Sequence, residues 1–227
     1  AIVSINANQT LADCFTTLDI NSATCQAIRR LPSGQVDFIS TQLQNIGSLK
    51  VEGVDVQADY RFDLPRVFEL AGDTASLSLQ AVGSWLFERS TQVLAGQEPR
   101  DCAGRIGGGC TGTGVFATPD FKLNLSGIYD SGPVTFRLQG RMIGDLMLYP
   151  DAVAAVDGAP AEWYVDASTV FRLHEQFELF GGIDNLFDNQ PPILGTAIAG
   201  DANTDPSLYD VIGRRFFIGG RFRCCTP

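Results

Sequence analysis

Between residues 54 and 64 apolar and polar side chains alternate at every step, with Val54, Val56, Ala58, Tyr60, Phe62 and Leu64 against Asp55, Gln57, Asp59, Arg61 and Asp63. A period of two over this length predicts a β-strand with one apolar and one charged face. The pattern returns at 75–87, where Leu77, Leu79, Ala81, Gly83, Trp85 and Phe87 oppose a face rich in serine. It returns again as paired segments at 121–129 and 134–142, separated by the turn residues Asp130-Ser131-Gly132-Pro133. A further hairpin is predicted at 163–173 and 177–184, turning at His174-Glu175-Gln176. A last strand is predicted from Arg214, with Phe216, Ile218, Gly220 and Phe222 on one face, and a weaker one at 36–43 precedes them all. The expectation is about eight strands.

The links are of two kinds. Those at 130–133 and 174–176 are short, 65–74 fits the same series, and those at 88–120, 145–162 and 185–213 are long. Strict alternation puts the tight turns at one end of a sheet and the long loops at the other. That layout predicts an all-β fold, an antiparallel transmembrane β-barrel whose apolar face meets lipid. A water-soluble antiparallel sandwich shows a similar alternation, but three features favour the barrel. The strands run to about 10–13 residues, near the ~9–11 that cross a bilayer and beyond the ~5–6 of ordinary strands. Aromatic residues gather near strand ends, as Tyr60 and Phe62, Trp85 and Phe87, Trp163 and Tyr164, and Phe216 and Phe222, where interfacial girdles form. Loops of about 18–33 residues are uncommon in compact soluble domains and usual on the outer side of such barrels. Asp55, Gln57, Asp59, Arg61, Arg137, Gln139, Arg141 and Arg221 are then expected to face a hydrated lumen.

Composition narrows the function. The 26 acidic against 16 basic side chains give a net charge of -10, which excludes nucleic acid as an expected partner. A content of 44% hydrophobic and 19% charged residues is too apolar for disorder. No run approaches the ~18 apolar residues of a membrane helix. Residues 1–20 lack the layout of a signal peptide, so an export signal is expected outside this chain. Cys14 with Cys25, and Cys102 with Cys110, form close pairs within loops and predict two local disulfides in an oxidising compartment. Zinc is disfavoured by their spacing and by the single histidine. Cys224 and Cys225 have no assigned role. His174 has no nucleophile beside it in sequence, and Asp55 and Asp59 are flanked by Gln57 and Arg61 as in a hydrated wall. No enzyme, metal or cofactor is expected.

Ile183-Asp184-Asn185-Leu186-Phe187-Asp188, followed after a long loop by Tyr209-Asp210-Val211-Ile212-Gly213-Arg214-Arg215-Phe216-Phe217-Ile218-Gly219-Gly220-Arg221-Phe222, resembles the end of TonB-dependent outer-membrane receptors. That family ends in an "NLFD"-type strand exit and a "YD..GR.F..G..F" closing strand. The motif falls here on Asp184, Asn185, Leu186, Phe187, Asp188, Tyr209, Asp210, Gly213, Arg214, Phe216, Gly219 and Phe222. Upstream, Asn45-Ile46-Gly47-Ser48-Leu49-Lys50-Val51-Glu52-Gly53-Val54-Asp55 resembles another strand of the family, so the resemblance covers about 35–223. It implies one partial barrel domain over 1–227: an outer loop at 1–34 with Cys14 and Cys25, barrel strands over 35–223 and an atypical tail at 224–227. Departures are plain, since the family has about 22 strands, a plug domain and a peptide that engages TonB. It also usually ends on an aromatic where Cys224 stands.

The resemblance implies the C-terminal barrel segment of a receptor that takes up a scarce nutrient, a siderophore, vitamin or glycan. Its location would be the Gram-negative outer membrane, with long loops extracellular. The implied partners are outer-membrane lipid, the plug and remaining strands of the parent receptor, TonB through the missing N-terminal part, and a small-molecule nutrient. The loops at 88–120, 145–162 and 185–213 are the expected ligand contacts, and their acidic residues equally suit solvated loops. The alternative is a self-contained eight-stranded outer-membrane barrel filled by its own side chains.

Overall fold

The structure is a computed structural model and describes residues 2–4, 7–41, 43–45, 48–70, 72, 74–92, 98–110, 117–199 and 203–224. Residues 46–47 of the upstream motif, parts of the long loops including Asp201, and Cys225 lie outside the described residues. In chain order the elements are β1 (Ile2–Ser4), α1 (Ala7–Thr17), α2 (Ala23–Gln26), β2 (Ile28–Arg30), β3 (Val36–Ile39), β4 (Leu43–Asn45), β5 (Ser48–Asp63), β6 (Ala75–Gln92), β7 (Arg100–Asp101), β8 (Arg105–Ile106), β9 (Phe121–Ser131), β10 (Val134–Ile143), β11 (Leu146–Leu148), β12 (Gly158–Ala159), β13 (Glu162–His174), β14 (Phe177–Asp184), α3 (Thr196–Ala199) and β15 (Arg215–Phe222). The chain divides into two compact units, residues 1–50 with 90–100, and residues 51–89 with 101–227.

In the first unit the Cys14–Cys25 disulfide ties α1 to α2, and Ser22 caps α2, its Oγ accepting from the Cys25 N–H at 3.2 Å. β1 pairs with β4, and β2 with β3, both antiparallel. The strand expected at 36–43 therefore exists in shortened form as β3, but it belongs to a local hairpin and not to the long sheet. A neighbour only a short turn away, through Pro32-Ser33-Gly34, is entropically cheaper to reach than a distant sheet edge.

The second unit is mostly antiparallel sheet. β5, β6, β9, β10, β13, β14 and β15 lie side by side in sequence order. The strands predicted from period two are all present, and β9 turns into β10 through Gly132, whose φ of +53° is needed at the first central position of this two-residue loop. Among the described residues the sheet does not close, and β5 and β15 are the ends of its path.

Register keeps each face together. Leu77, Tyr129, Phe136, Thr169, Gly181 and Ile218 form one cross-strand row, and Leu79, Gly127, Leu138, Ala167, Ile183 and Phe216 the next. Large apolar side chains on this face, among them Val56, Leu79, Leu125, Leu138 and Ile218, are exposed. Aromatic residues bracket the rows. Toward the long loops Trp85 packs on Phe121 at 4.9 Å between centroids, and Trp163 sits across from Met142. Toward the tight turns lie Tyr60 and Phe62, 5.6 Å apart, with Tyr129, Phe171 and Phe222. From Leu77 to Trp85 the strand advances roughly 26 Å at about 3.3 Å per residue. Two expected girdle members are elsewhere. Tyr164 lies on the opposite face because period two sets it against Trp163, and Phe216 occupies a middle row because β14, and β15 paired along its whole length, end part-way along β13.

The long loops do not behave as separate solvated excursions. In their described parts β11 runs parallel to β8 and antiparallel to β12, and Ile106, Ile143, Leu146, Tyr164, Leu194 and Tyr209 bury one another in a core at this end of the sheet. Apolar residues spread over three loops in sequence meet in this one cluster.

Candidate functional site

The residues of the closing motif build the neck of the loop between β14 and β15. Asn185 and Asp188 have φ of +52° and +57°, a left-handed conformation that short polar side chains tolerate best. Asn185 is fully buried; its Oδ1 accepts from the Asn189 N–H and its Nδ2 donates to the Asn189 carbonyl, both at 2.9 Å. Asp188 reaches across the loop, its Oδ1 accepting from the Arg214 N–H at 2.9 Å. A Cβ on Gly213, whose φ is +79°, would stand 2.9 Å from that oxygen, so the glycine supplies both the turn and the space. Asp184 and Asp210 each pair with Arg215, at 3.5 and 3.3 Å. Leu186 is held through its N–H to the Val165 carbonyl at 2.7 Å, and Phe187 projects outward, exposed. Phe216 sits across from Ile183 and Phe222 across from Phe177.

Above this neck lies a buried polar cluster. Tyr209 is 3% exposed and Thr204 equally buried, and the Tyr209 hydroxyl, Thr204 Oγ1 and Asp210 Oδ2 find no hydrogen-bond partner among the described residues. Asp205 accepts twice from Ser207 through Oδ1, at 2.9 Å from N–H and 2.6 Å from Oγ. Burial raises the Tyr209 phenol above its ordinary pKa, and the neighbouring Tyr164, Glu162 and Asp205 raise it further. Among the described residues no group of three His, Cys, Asp or Glu is placed to hold a metal.

The sheet face opposite the apolar rows carries all eight residues predicted to line a lumen. Asp59 accepts from Gln57 at 2.7 Å and from Gln80 at 2.8 Å, and Arg61 donates to Ser76 at 3.1 Å. Arg141 pairs with Asp166 at 3.3 Å and lies over the Tyr164 ring at 5.5 Å. Asp166 in turn accepts from the Asn185 N–H at 2.9 Å, which links this face to the neck. Arg221 and Arg223 converge on Glu178, at 3.1 and 3.5 Å. Asp55, Arg137 and Gln139 share the face, with Arg137 opposite Ser168 and Gln139 opposite Asp166.

Both expected disulfides are formed, Cys14 with Cys25 and Cys102 with Cys110, while Cys224 is a free, exposed thiol. Cys102 and Cys110 are buried beside Ile106 of the loop core. Replacing both with serine is expected to lower stability by about 2–3 kcal/mol, the cost of reopening so short a covalent loop. Urea melts of the two proteins with and without reductant check this, because the variant should lose all sensitivity to reductant at this end of the molecule.

Residues that periodicity overlooked are the loop core and a pair of rings, Phe180 and Phe217, on the charged face. A signal for the rings was present in the doubled glycines Gly181-Gly182 and Gly219-Gly220. A Cβ on Gly219 would stand 2.4 Å from the Phe180 ring, and one on Gly182 2.6 Å from the Phe217 ring. Each ring therefore lies flat over the glycine across from it. Comparison with protein-family models, with curated proteins and with solved structures finds no match for the chain.

Proposed function

We propose that this chain is the C-terminal β-barrel segment of a TonB-dependent outer-membrane receptor that takes up a scarce nutrient. The observation that carries the reading is the exposed apolar face of the sheet, bounded by aromatic belts and backed by a face of paired charges. Soluble monomers ordinarily leave only small contiguous apolar patches open, and lipid is a solvent in which an apolar face of many rows costs nothing. The opposite face suits a hydrated lumen wall facing a plug, because it is polar and several of its charges are paired within the sheet. The neck supports the family assignment in particular: the residues that carry the resemblance are the ones that close the loop between the last two strands. In this reading the long loops are extracellular and take part in ligand capture, TonB acts through a preceding plug, and the segment is no enzyme.

The two tryptophans make a direct test, since Trp85 and Trp163 are the only ones in the chain and both lie on the apolar face near its long-loop end. Refolded into vesicles, the chain is expected to show tryptophan emission quenched by lipids brominated near the glycerol and much less by lipids brominated near the bilayer centre. Aqueous iodide should leave it bright. A chain that stays off vesicles and is quenched by iodide would overturn the reading.

A further inference from the structure

From the first unit we infer a binding groove for an apolar molecule bearing one acid group, of which a long-chain carboxylate is the simplest. The inference is independent of the membrane reading, since the groove belongs to the unit of α1 and β2. Its volume is about 840 Å³, within the ~300–1,000 Å³ typical of ligand pockets. Leu11, Phe15 and Leu18 recur at helical spacing along and just beyond α1 and, with Ile20 and Ile28, form its walls. Such a stripe ordinarily faces a core, yet Phe15, Leu18 and Ile20 are 80%, 81% and 78% exposed.

Two observations mark the groove as built. Leu18 has φ of +50°, a conformation rare for leucine. It is held by its N–H to the Cys14 carbonyl at 3.3 Å, beside the Cys14–Cys25 disulfide that also borders the groove. The left-handed turn ends α1 here and, with the disulfide, fixes where its apolar stripe meets Ile20 and Ile28. The second observation is charge. Of two adjacent arginines, Arg29 is neutralised by Asp37 at 3.6 Å and covered by Phe38. Arg30 lines the groove, spends one donor on the Gly34 carbonyl at 3.1 Å, and pairs with no carboxylate among the described residues. It is the only charged residue among those lining the groove. In a chain of net charge -10, one unneutralised guanidinium beside apolar walls selects an anion with an apolar body, because its remaining donors match a carboxylate fork.

A palmitate analogue with a diazirine near its methyl end, irradiated with the full refolded chain and mapped by mass spectrometry, tests this. Labelling is expected within residues 11–28, competed by palmitate and not by methyl palmitate. Arg30→Gln should reduce it roughly two- to fivefold, as loss of an exposed ion pair does. Leu18→Asp should abolish it while leaving circular dichroism and the disulfide unchanged, since that side chain is exposed. Phe15→Ser provides the same check should Leu18→Asp misfold. Label confined to the sheet strands would report only the apolar sheet face and would overturn the groove. Label at 11–28 that methyl palmitate competes equally, and that Arg30→Gln leaves unchanged, would overturn its selectivity for an acid.

Discussion

Tyr209→Ala is expected to destabilise the second unit by about 3–5 kcal/mol, whereas Tyr209→Phe leaves it unchanged or slightly more stable. The ring is buried against the core of the loop cap, so truncation to alanine leaves a cavity where Leu194 and Ile106 converge. The hydroxyl, by contrast, is desolvated without a partner among the described residues. Removing it gives up no bond and relieves a desolvation penalty. The motif tyrosine would then serve through its ring. The pH dependence follows in sign. A phenol whose pKa is raised on folding holds its proton more tightly in the native state, so its contribution is complete below the unfolded value, about pH 10, and falls as pH rises above it. Chemical denaturation of the wild type is expected to show stability declining above about pH 10, with a shallower decline in Tyr209→Phe. Identical pH profiles for the two proteins would count against a buried, uncharged Tyr209.

Gly182→Val is expected to cost about 3 kcal/mol, the upper end of ordinary overpacking, and to unzip β15 first. Its added atoms meet the Ala167 carbonyl oxygen, 2.6 Å from an ideal Cβ, on one side and the Phe217 ring on the other. The ring can swing away, but the backbone oxygen belongs to the β13–β14 ladder and cannot yield without breaking it. Hydrogen exchange should therefore speed up at Phe217 and Gly219 before it does in β9 and β10. The double variant Gly182→Val with Phe217→Ala separates the two contacts: if it recovers most of the loss, the ring is the obstacle, and if it recovers little, the backbone is.

Much of the sheet was legible because period two is a local signal. Val54 through Asp63 declares a strand without reference to anything else in the chain, and so do the segments that became β6, β9, β10, β13, β14 and β15. The loop cap was not legible for the opposite reason. Ile106, Leu146 and Leu194 sit in three different loops among glycines, prolines and acidic residues, and nothing in their immediate neighbours says that they will meet. Tyr164 shows the same limit from within a strand: next to Trp163 it reads as one of two interfacial aromatics, but only the folded loops reveal that its side of β13 is covered. The weak strand at 36–43 forms over 36–39 but pairs locally with β2, since its pattern fits a strand yet cannot say which partner it takes. Asn185, Asp188 and Gly213 stood in the sequence as members of one motif, but not as three parts of one clamp across a long loop.

Strand direction carries one more consequence. Each of the seven long strands runs opposite to its neighbour; for the first pair this follows from Asp59 reaching Gln80 while Arg61 reaches Ser76, and for the others from their registers. Seven is odd, so β5 and β15 point the same way and cannot join each other in an antiparallel ladder. Any all-antiparallel closure of this sheet must interpose an odd number of additional strands, the first of them laid against β5 and the last against β15. One strand would make a barrel of eight, while about fifteen would make the roughly 22 of the large transporters. An even number leaves a parallel seam.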